Sequence, residues 1–457
     1  MSLFDDLKNF RRKDKISFHI PGHKGGIGLE RRWMTDIFSI DVTEFDETDD
    51  LQNPTGILKV AQEHAAAAFG AYKTFFLTNG SSIGLEASII GTLKPGDKIL
   101  LDRTCHKSVI SALVLSGAIP VFLSPIWDDG LKLYTGISAN SIKEHINKNP
   151  DIKGVLITSP SYYGICSDIL PISDIIHKAG KFLIVDEAHG AHFCFNKNLP
   201  SSALSQGADI VIQSAHKTLP ALGQCSFLHL NNSPYINSKR IEEALRLLQT
   251  TSPSYILMSA LDMSAIKMSE TGDALLSELI FNIQKLKKEV ITNTCLSFID
   301  KSSIRAIQDE TRIVTDFHRT IYTGYDAAKI LKDKYGIYPE MADENYVVFI
   351  ATISNAKKDI VALKNALIEL GKEQSDAPCK KGMPLPVPDI KIPPRDAWMS
   401  DKKQVSYKDA LGKIAAEIVS VCPPGAALLV PGQLIDEKTI EYFDYSDIQK
   451  QILIIDK

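Results

Sequence analysis

The sequence contains no apolar run long enough to cross a bilayer; its longest apolar stretches are strand-sized. The opening MSLFDDLKNFRRKDK is acidic and then basic, without an apolar core or cleavage signal, which argues against a secretory leader. Cysteines are few and scattered: seven, at 105, 166, 194, 225, 295, 379 and 422, with no Cys-x-x-Cys pair. Such spacing suggests neither a disulfide framework nor a zinc site, and a reducing cytoplasm is the simplest setting. Net charge is small, 51 Lys and Arg against 55 Asp and Glu, which argues against a chain-wide nucleic-acid footprint. No GxxxxGK(S/T) loop occurs, so a P-loop nucleotide site is disfavoured.

What is present is a globular composition, 44% hydrophobic and 23% charged over 457 residues, enough chain for about three domains. Apolar, strand-like runs alternate with helical stretches from residue 56 to residue 230: TFFLTNG, KILLD (98–102), IPVFLSP (119–125), GVLITSP (154–160), KFLIVDEAH (181–189), ADIVIQSAHK (208–217) and SFLHL (226–230). This alternation predicts an α/β fold whose mostly parallel sheet is covered on both faces. A second α/β unit begins near 295, a proline-rich connector spans 378–394, and a last helix is expected near 406–420. The division that follows is an arm (1–45), a large domain (46–290) and a small C-terminal domain (291–457).

In parallel sheets ligands sit at the carboxyl ends of the strands. The polar clusters Asn79–Ser82, Asp102–His106, Ser159–Gly164, Asp186–His189 and Ser214–Lys217 all fall there. Lys217 follows Ser214 and His216 at a strand end; a desolvated lysine there can form a Schiff base, although taken alone it also fits a lysine leaving the sheet for solvent. Asp186 ends an apolar strand and needs a partner, such as a protonated pyridine nitrogen, a metal ion or a helix N-terminus. Gly80, Ser81 and Ser82 lie between a strand and a helix, where they suit either a phosphate or a plain N-cap. His106 can stack on a flat ring or serve as a structural histidine. The loop FHIPGHKGG (18–26) reads as a connecting arm or as backbone that approaches a ligand closely.

These same blocks carry a resemblance. FHIPGHKGG, DVTEFDETDDLQNPTG, FFLTNGSSIG, HKSVISALVLSGAIPVFL, TSPSYYGICSDI, VDEAHGAH and QSAHKTLPALGQCSFLHL resemble the Orn/Lys/Arg decarboxylases, pyridoxal-phosphate enzymes of fold type I, the aspartate aminotransferase fold. The likeness extends through TTSPSYILMSALD, PPRDAW and CPPGAALLVPGQLI. It implies that Lys217 holds the cofactor as a Schiff base, that Asp186 pairs with the pyridine N–H and that His106 stacks on the ring. It places Gly80, Ser81, Ser82, Ser214 and His216 at the phosphate, Ala188 under the ring and His189 near the cofactor oxygen or substrate. Thr251 and Ser252 would lie near the phosphate, across a dimer interface.

The implied protein is a cytoplasmic homodimer or higher homo-oligomer with shared active sites. It would use pyridoxal 5'-phosphate to decarboxylate a basic amino acid, arginine or lysine before ornithine, with no metal, nucleic acid or membrane. Because the arm reaches FHIPGHK almost at once, a short form without the extra N-terminal domain of longer members is expected. Two departures stand out: Thr104 where Asn is usual and Cys422 where Tyr is usual. The acidic run Asp46, Glu47, Asp49 and Asp50 reads as a solvated loop before it reads as a substrate contact. The rival reading is an aminotransferase or another lyase on the same cofactor, with Arg395 holding the substrate carboxylate. A non-catalytic relative is the other alternative, against which Lys217, Asp186 and His106 all stand.

Overall fold

The computed structural model describes residues 2–12, 15–304, 306–375, 382–421, 425–446 and 448–456. Its centre is a seven-stranded sheet. The strands are β1 (Lys73–Leu77), β2 (Lys98–Asp102), β3 (Ile119–Leu123), β4 (Ile152–Thr158), β5 (Phe182–Asp186), β6 (Ile210–Gln213) and β7 (Ser226–Leu230), in the spatial order β1-β7-β6-β5-β4-β2-β3. All neighbours run parallel except β7, which is antiparallel to both β6 and β1.

The apolar runs are continuous because both faces are covered. Leu100, Val155, Val185 and Val211 point to one core, packed by helices α1 (Ile57–Phe69), α4 (Ile169–Lys178) and α6 (Tyr255–Asn293). The alternating residues Leu101, Leu156, Ile184 and Ile212 point to the other, packed by α2 (Gly80–Thr92), α3 (Lys107–Ser116) and α5 (Ser238–Leu248). No helix among the described residues is long and apolar enough to cross a membrane.

A second sheet has four strands, β8 (Ser297–Phe298), β9 (Arg312–Asp316), β10 (Met341–Ala342) and β11 (Tyr346–Ile350), ordered β8-β9-β11-β10. Its core is closed by the end of α6 with α7 (Gly324–Tyr335) and α8 (Lys357–Leu370), and Phe18 of the arm is buried within it. The arm segment Ile16–Phe18 pairs in parallel with Ile337–Pro339.

The span 291–457 contains a further, separate core around Leu428, Leu429, Tyr442, Phe443 and Ile454. Here the expected helix near 406–420 is corrected. Lys402–Ser406 pairs antiparallel with Gln451–Ile455, a 3-10 turn covers Tyr407–Ala410, Gly412 sits at φ +74°, and Val419–Val421 is a strand. Pairing with a strand near the chain end overrides local helical character. The helix of this region is α9 (Glu437–Tyr445), started by Asp436, whose carboxylate accepts the Thr439 N–H at 2.9 Å. The proline-rich connector is described from residue 382 onward; its earlier part, like Cys422, lies outside the described residues.

Candidate active site

Asp186 is the last residue of β5, flanked across the sheet by Thr158 and Ile212. It is buried, and the Ala188 N–H donates to its Oδ1 at 3.1 Å. Burial raises its pKa above the usual carboxylate range, opposed by the positive charges of Lys217 and His106. Lys217 lies in a helical turn, Ala215–Thr218, that leaves β6. Its Nζ is 3.1 Å from His189 Nε2. Burial lowers its pKa, opposed by Asp186 and Glu340 and reinforced by Arg312. Buried Asp186 and half-buried Lys217 thus stand within each other's electrostatic reach.

His106 caps α3. Its Nδ1 accepts the Ser108 N–H at 3.2 Å, which leaves the proton of the neutral ring on Nε2. Burial lowers its pKa, with Asp186 opposing. A Cβ on Gly425 would come 2.9 Å from the His106 ring, so the C-terminal segment walls the imidazole closely. Thr104, the departure from the usual Asn, donates both N–H and Oγ1–H to Asp102 at 2.7 Å and shapes the turn before His106.

Gly80 opens α2 with φ +77°, a conformation an L side chain rarely adopts. Ser81 follows, and Ser214 Oγ donates to its Oγ at 3.0 Å. The first turn of α2, with Ser82 half-buried in it, therefore faces the start of the Lys217 turn. His216 donates from Nδ1 to the Cys225 carbonyl at 2.9 Å, and burial lowers its pKa to about 4. Ala188 is buried immediately after Asp186 and Glu187.

Other predicted residues stand apart. Thr251 and Ser252 are exposed in the turn before α6. Of the acidic run, Asp46, Glu47 and Asp50 are exposed, while Asp49 is buried and accepts N–H bonds from Asp50, Thr55, Gly56, Leu58 and Lys59. Asp49 organises the approach to α1. Arg395 is corrected as a site candidate: it donates to the Val114 and Leu115 carbonyls at the far end of α3. Ten helical residues, about 15 Å, separate that end from the His106 end.

A different arginine is at the site. Arg312 opens β9, is 1% exposed, and donates from Nη2 to His189 Nδ1 at 3.1 Å. Its Nε and Nη1 have no hydrogen-bond partner among the described residues. The only signal available in sequence was a charged residue leading an apolar strand. Tyr162 packs edge-on against His189, with ring centroids 4.8 Å apart, and its hydroxyl donates to Glu340. The glycine-rich arm also reaches the site: the Gly22 N–H donates to the His216 carbonyl at 2.7 Å, and a Cβ on Gly22 would lie 2.4 Å from Leu219 O. Lys24 is buried with its Nζ on the His19 and Ile350 carbonyls, and burial lowers its pKa to about 7. Among the described residues no His, Cys, Asp and Glu cluster is arranged to hold a metal ion. A cavity of about 450 Å³ lies elsewhere, beside the sheet-edge strand β1, lined by Lys73, Thr74, Glu242 and Arg246 among others.

Residues 1–320 match the family described as Orn/Lys/Arg decarboxylase, major domain. An arginine decarboxylase of Bacillus subtilis is 34% identical over 452 residues, covering 96% of this chain and 92% of that protein. The structure of the constitutive lysine decarboxylase of E. coli superposes with a TM-score of 0.77 at 17% identity, covering 99% of this chain and 81% of the other. That of an alanine–glyoxylate aminotransferase from Nostoc sp. gives 0.60 at 14% identity, covering 78% and 95%. The fold is therefore that shared by these decarboxylases and aminotransferases, and by sequence the chain belongs to the Orn/Lys/Arg decarboxylase family.

Proposed function

We propose that the protein is a pyridoxal-phosphate-dependent decarboxylase of a basic amino acid, with arginine the first candidate substrate. The observation that carries this reading is the placing of a buried strand-end carboxylate, Asp186, beside a half-buried lysine, Lys217, in the turn that leaves the neighbouring strand at the same end of the sheet. The donor set fits the cofactor. Asp186 receives one hydrogen bond among the described residues, on Oδ1, which leaves Oδ2 for a protonated ring nitrogen. Ser81, Ser82, Ser214 and the start of α2 offer hydroxyl and N–H donors to a phosphate. A phosphate dianion would also favour the charged form of His216, in which both ring nitrogens donate.

When bound, the cofactor supplies an electron sink for the pair left behind by departing CO₂. The chain supplies the rest. Asp186 keeps the ring nitrogen protonated. His106, held by Ser108 and walled by Gly425, would cover a ring face. The buried strand ends exclude water, which strengthens each charge interaction. Lys217 in its ammonium form, or His106 from Nε2, would supply the proton that takes the place of the lost carboxylate. Thr251 and Ser252, exposed in one copy, suit a homodimer whose second chain completes the phosphate site.

Arg312 supports a second reading. Its unpaired guanidinium edge fits a substrate carboxylate, which an aminotransferase would hold and retain rather than release. Purified protein mixed with carboxyl-labelled arginine, lysine and ornithine decides between them. Release of labelled CO₂ is the expected result. Accumulation of a keto acid with the label retained would establish the second reading instead, and neither product would remove both.

A further inference from the structure

We infer that Arg312 is a positioning residue that locks the His189 proton on Nε2 and thereby keeps Lys217 a free-amine acceptor. The inference rests on Lys217 as the covalent anchor of the proposed function. A guanidinium only donates hydrogen bonds. The 3.1 Å bond from Arg312 Nη2 therefore makes His189 Nδ1 an acceptor, and the ring's proton must sit on Nε2. That Nε2–H faces Lys217 Nζ at 3.1 Å. An ammonium has no lone pair, so the second bond forms only with the neutral amine. A proton on Nδ1 would set N–H against N–H inside a site where His189 is 6% and Arg312 1% exposed. An imidazolium would add a buried cation beside Arg312.

The groups facing Lys217 and His189 make such a lock necessary. Asp186 and Glu340 favour the charged lysine, whereas Arg312 disfavours it. Glu340 is itself occupied, accepting the Tyr162 hydroxyl and, at 2.9 Å, the Ile20 N–H. His106 and His216 complete the surroundings, and burial keeps both rings toward the neutral form. The chemistry at stake is simple. To hold the cofactor, Nζ would use its lone pair to bond the aldehyde carbon, giving a carbon–nitrogen double bond, while the carbonyl oxygen would leave as water with the two amine hydrogens. A protonated Nζ cannot begin this step.

The test uses the full-length chain, freed of bound carbonyl compounds by hydroxylamine dialysis. Trace acetylation with acetic anhydride across pH, read by peptide mass spectrometry, reports how much Lys217 is free amine. Arg312→Met is expected to raise the Lys217 midpoint by about one pH unit or more, the scale of one lost charged hydrogen bond. In a His189→Phe background the same substitution should shift the midpoint clearly less, because only the direct charge effect of Arg312 on Lys217 remains once the imidazole is gone. Nitrogen-15 spectra of histidine-labelled wild type should show His189 protonated on Nε2, a readout that does not depend on any variant folding. An unchanged midpoint, an equal shift in the His189→Phe background, or a proton on Nδ1 would overturn the inference. Failure of wild type to gain the visible absorbance of a lysine-bound cofactor with pyridoxal phosphate would overturn the proposed function and leave the acetylation result standing.

Discussion

Gly22 and His216 are joined backbone to backbone: the Gly22 N–H donates to the His216 carbonyl at 2.7 Å, although 194 residues separate them (216 − 22). The glycine-rich arm thus lies on the turn that carries Lys217. With a Cβ only 2.4 Å from Leu219 O, the arm could not lie so close with any other residue at this position. Gly22→Ala should cost about 1–3 kcal/mol of stability, the range for overpacking a closed contact. Urea denaturation measures the loss. Because the clash falls beside Lys217, the variant should also bind pyridoxal phosphate more weakly; unchanged affinity with unchanged stability would mean that the arm yields freely.

Asp186→Asn replaces the strand-end carboxylate with a neutral amide of the same shape. A lysine-bound cofactor should still form at saturating pyridoxal phosphate, because Lys217 is intact. Turnover should fall roughly 10²–10³-fold, the scale of removing one oriented electrostatic group from a dry site. Retained turnover in the variant would contradict the role proposed for Asp186.

Asp49 sits in the acidic run yet is a structural acceptor. Burial alone would raise its pKa, but the N–H bonds it accepts from Thr55, Asp50, Gly56 and Lys59 outweigh this and hold it below the usual carboxylate range. Asp49→Ala should cost about 2 kcal/mol, the upper range for losing a capping acceptor, and lower the midpoint of a thermal melt. Its stabilising contribution is present above the unfolded carboxylate pKa and is lost as pH falls through the lower folded value.

His229 is fully buried and bridges Gln213 Oε1 at 3.1 Å and Thr74 Oγ1 at 2.8 Å. Burial lowers its pKa from 6.5 to about 3. The unfolded chain therefore binds a proton here that the folded chain refuses. Stability is fully present above pH 6.5 and declines toward pH 3, by at most about 1.4 kcal/mol per pH unit. His229→Gln should make the chain less stable at pH 7 but flatten this decline. Urea titrations at several pH values between 7 and 4.5 check it, and an equally steep slope in the variant would refute it.

The strand-end residues could be read from sequence because β2, β4, β5 and β6 are buried on both faces. Each appears as a continuous apolar run that stops at its polar cluster. Asp186 and Lys217 are legible for that reason. Arg312 is not, since an arginine before an apolar strand looks like a solvent-facing start, and only the fold turns it toward His189. The C-terminal region resisted for a related reason. Lys402–Ser406 owes its strand conformation to Gln451–Ile455, a partner with no local trace in residues 406–420.

Arg103 is 1% exposed and gives its guanidinium hydrogens to the carbonyls of Pro386, Ala427 and Leu428. Three residues later, His106 bridges to Ala426, and the Lys107 N–H donates to Gly425 O. During synthesis, then, the turn that presents His106 is made early and closed late. Until residues 425–428 have left the ribosome, Arg103 lacks two of its three carbonyl partners, Ala427 and Leu428, and the imidazole lacks its outer wall. A nascent chain long enough to fold the central sheet still lacks the wall of its histidine.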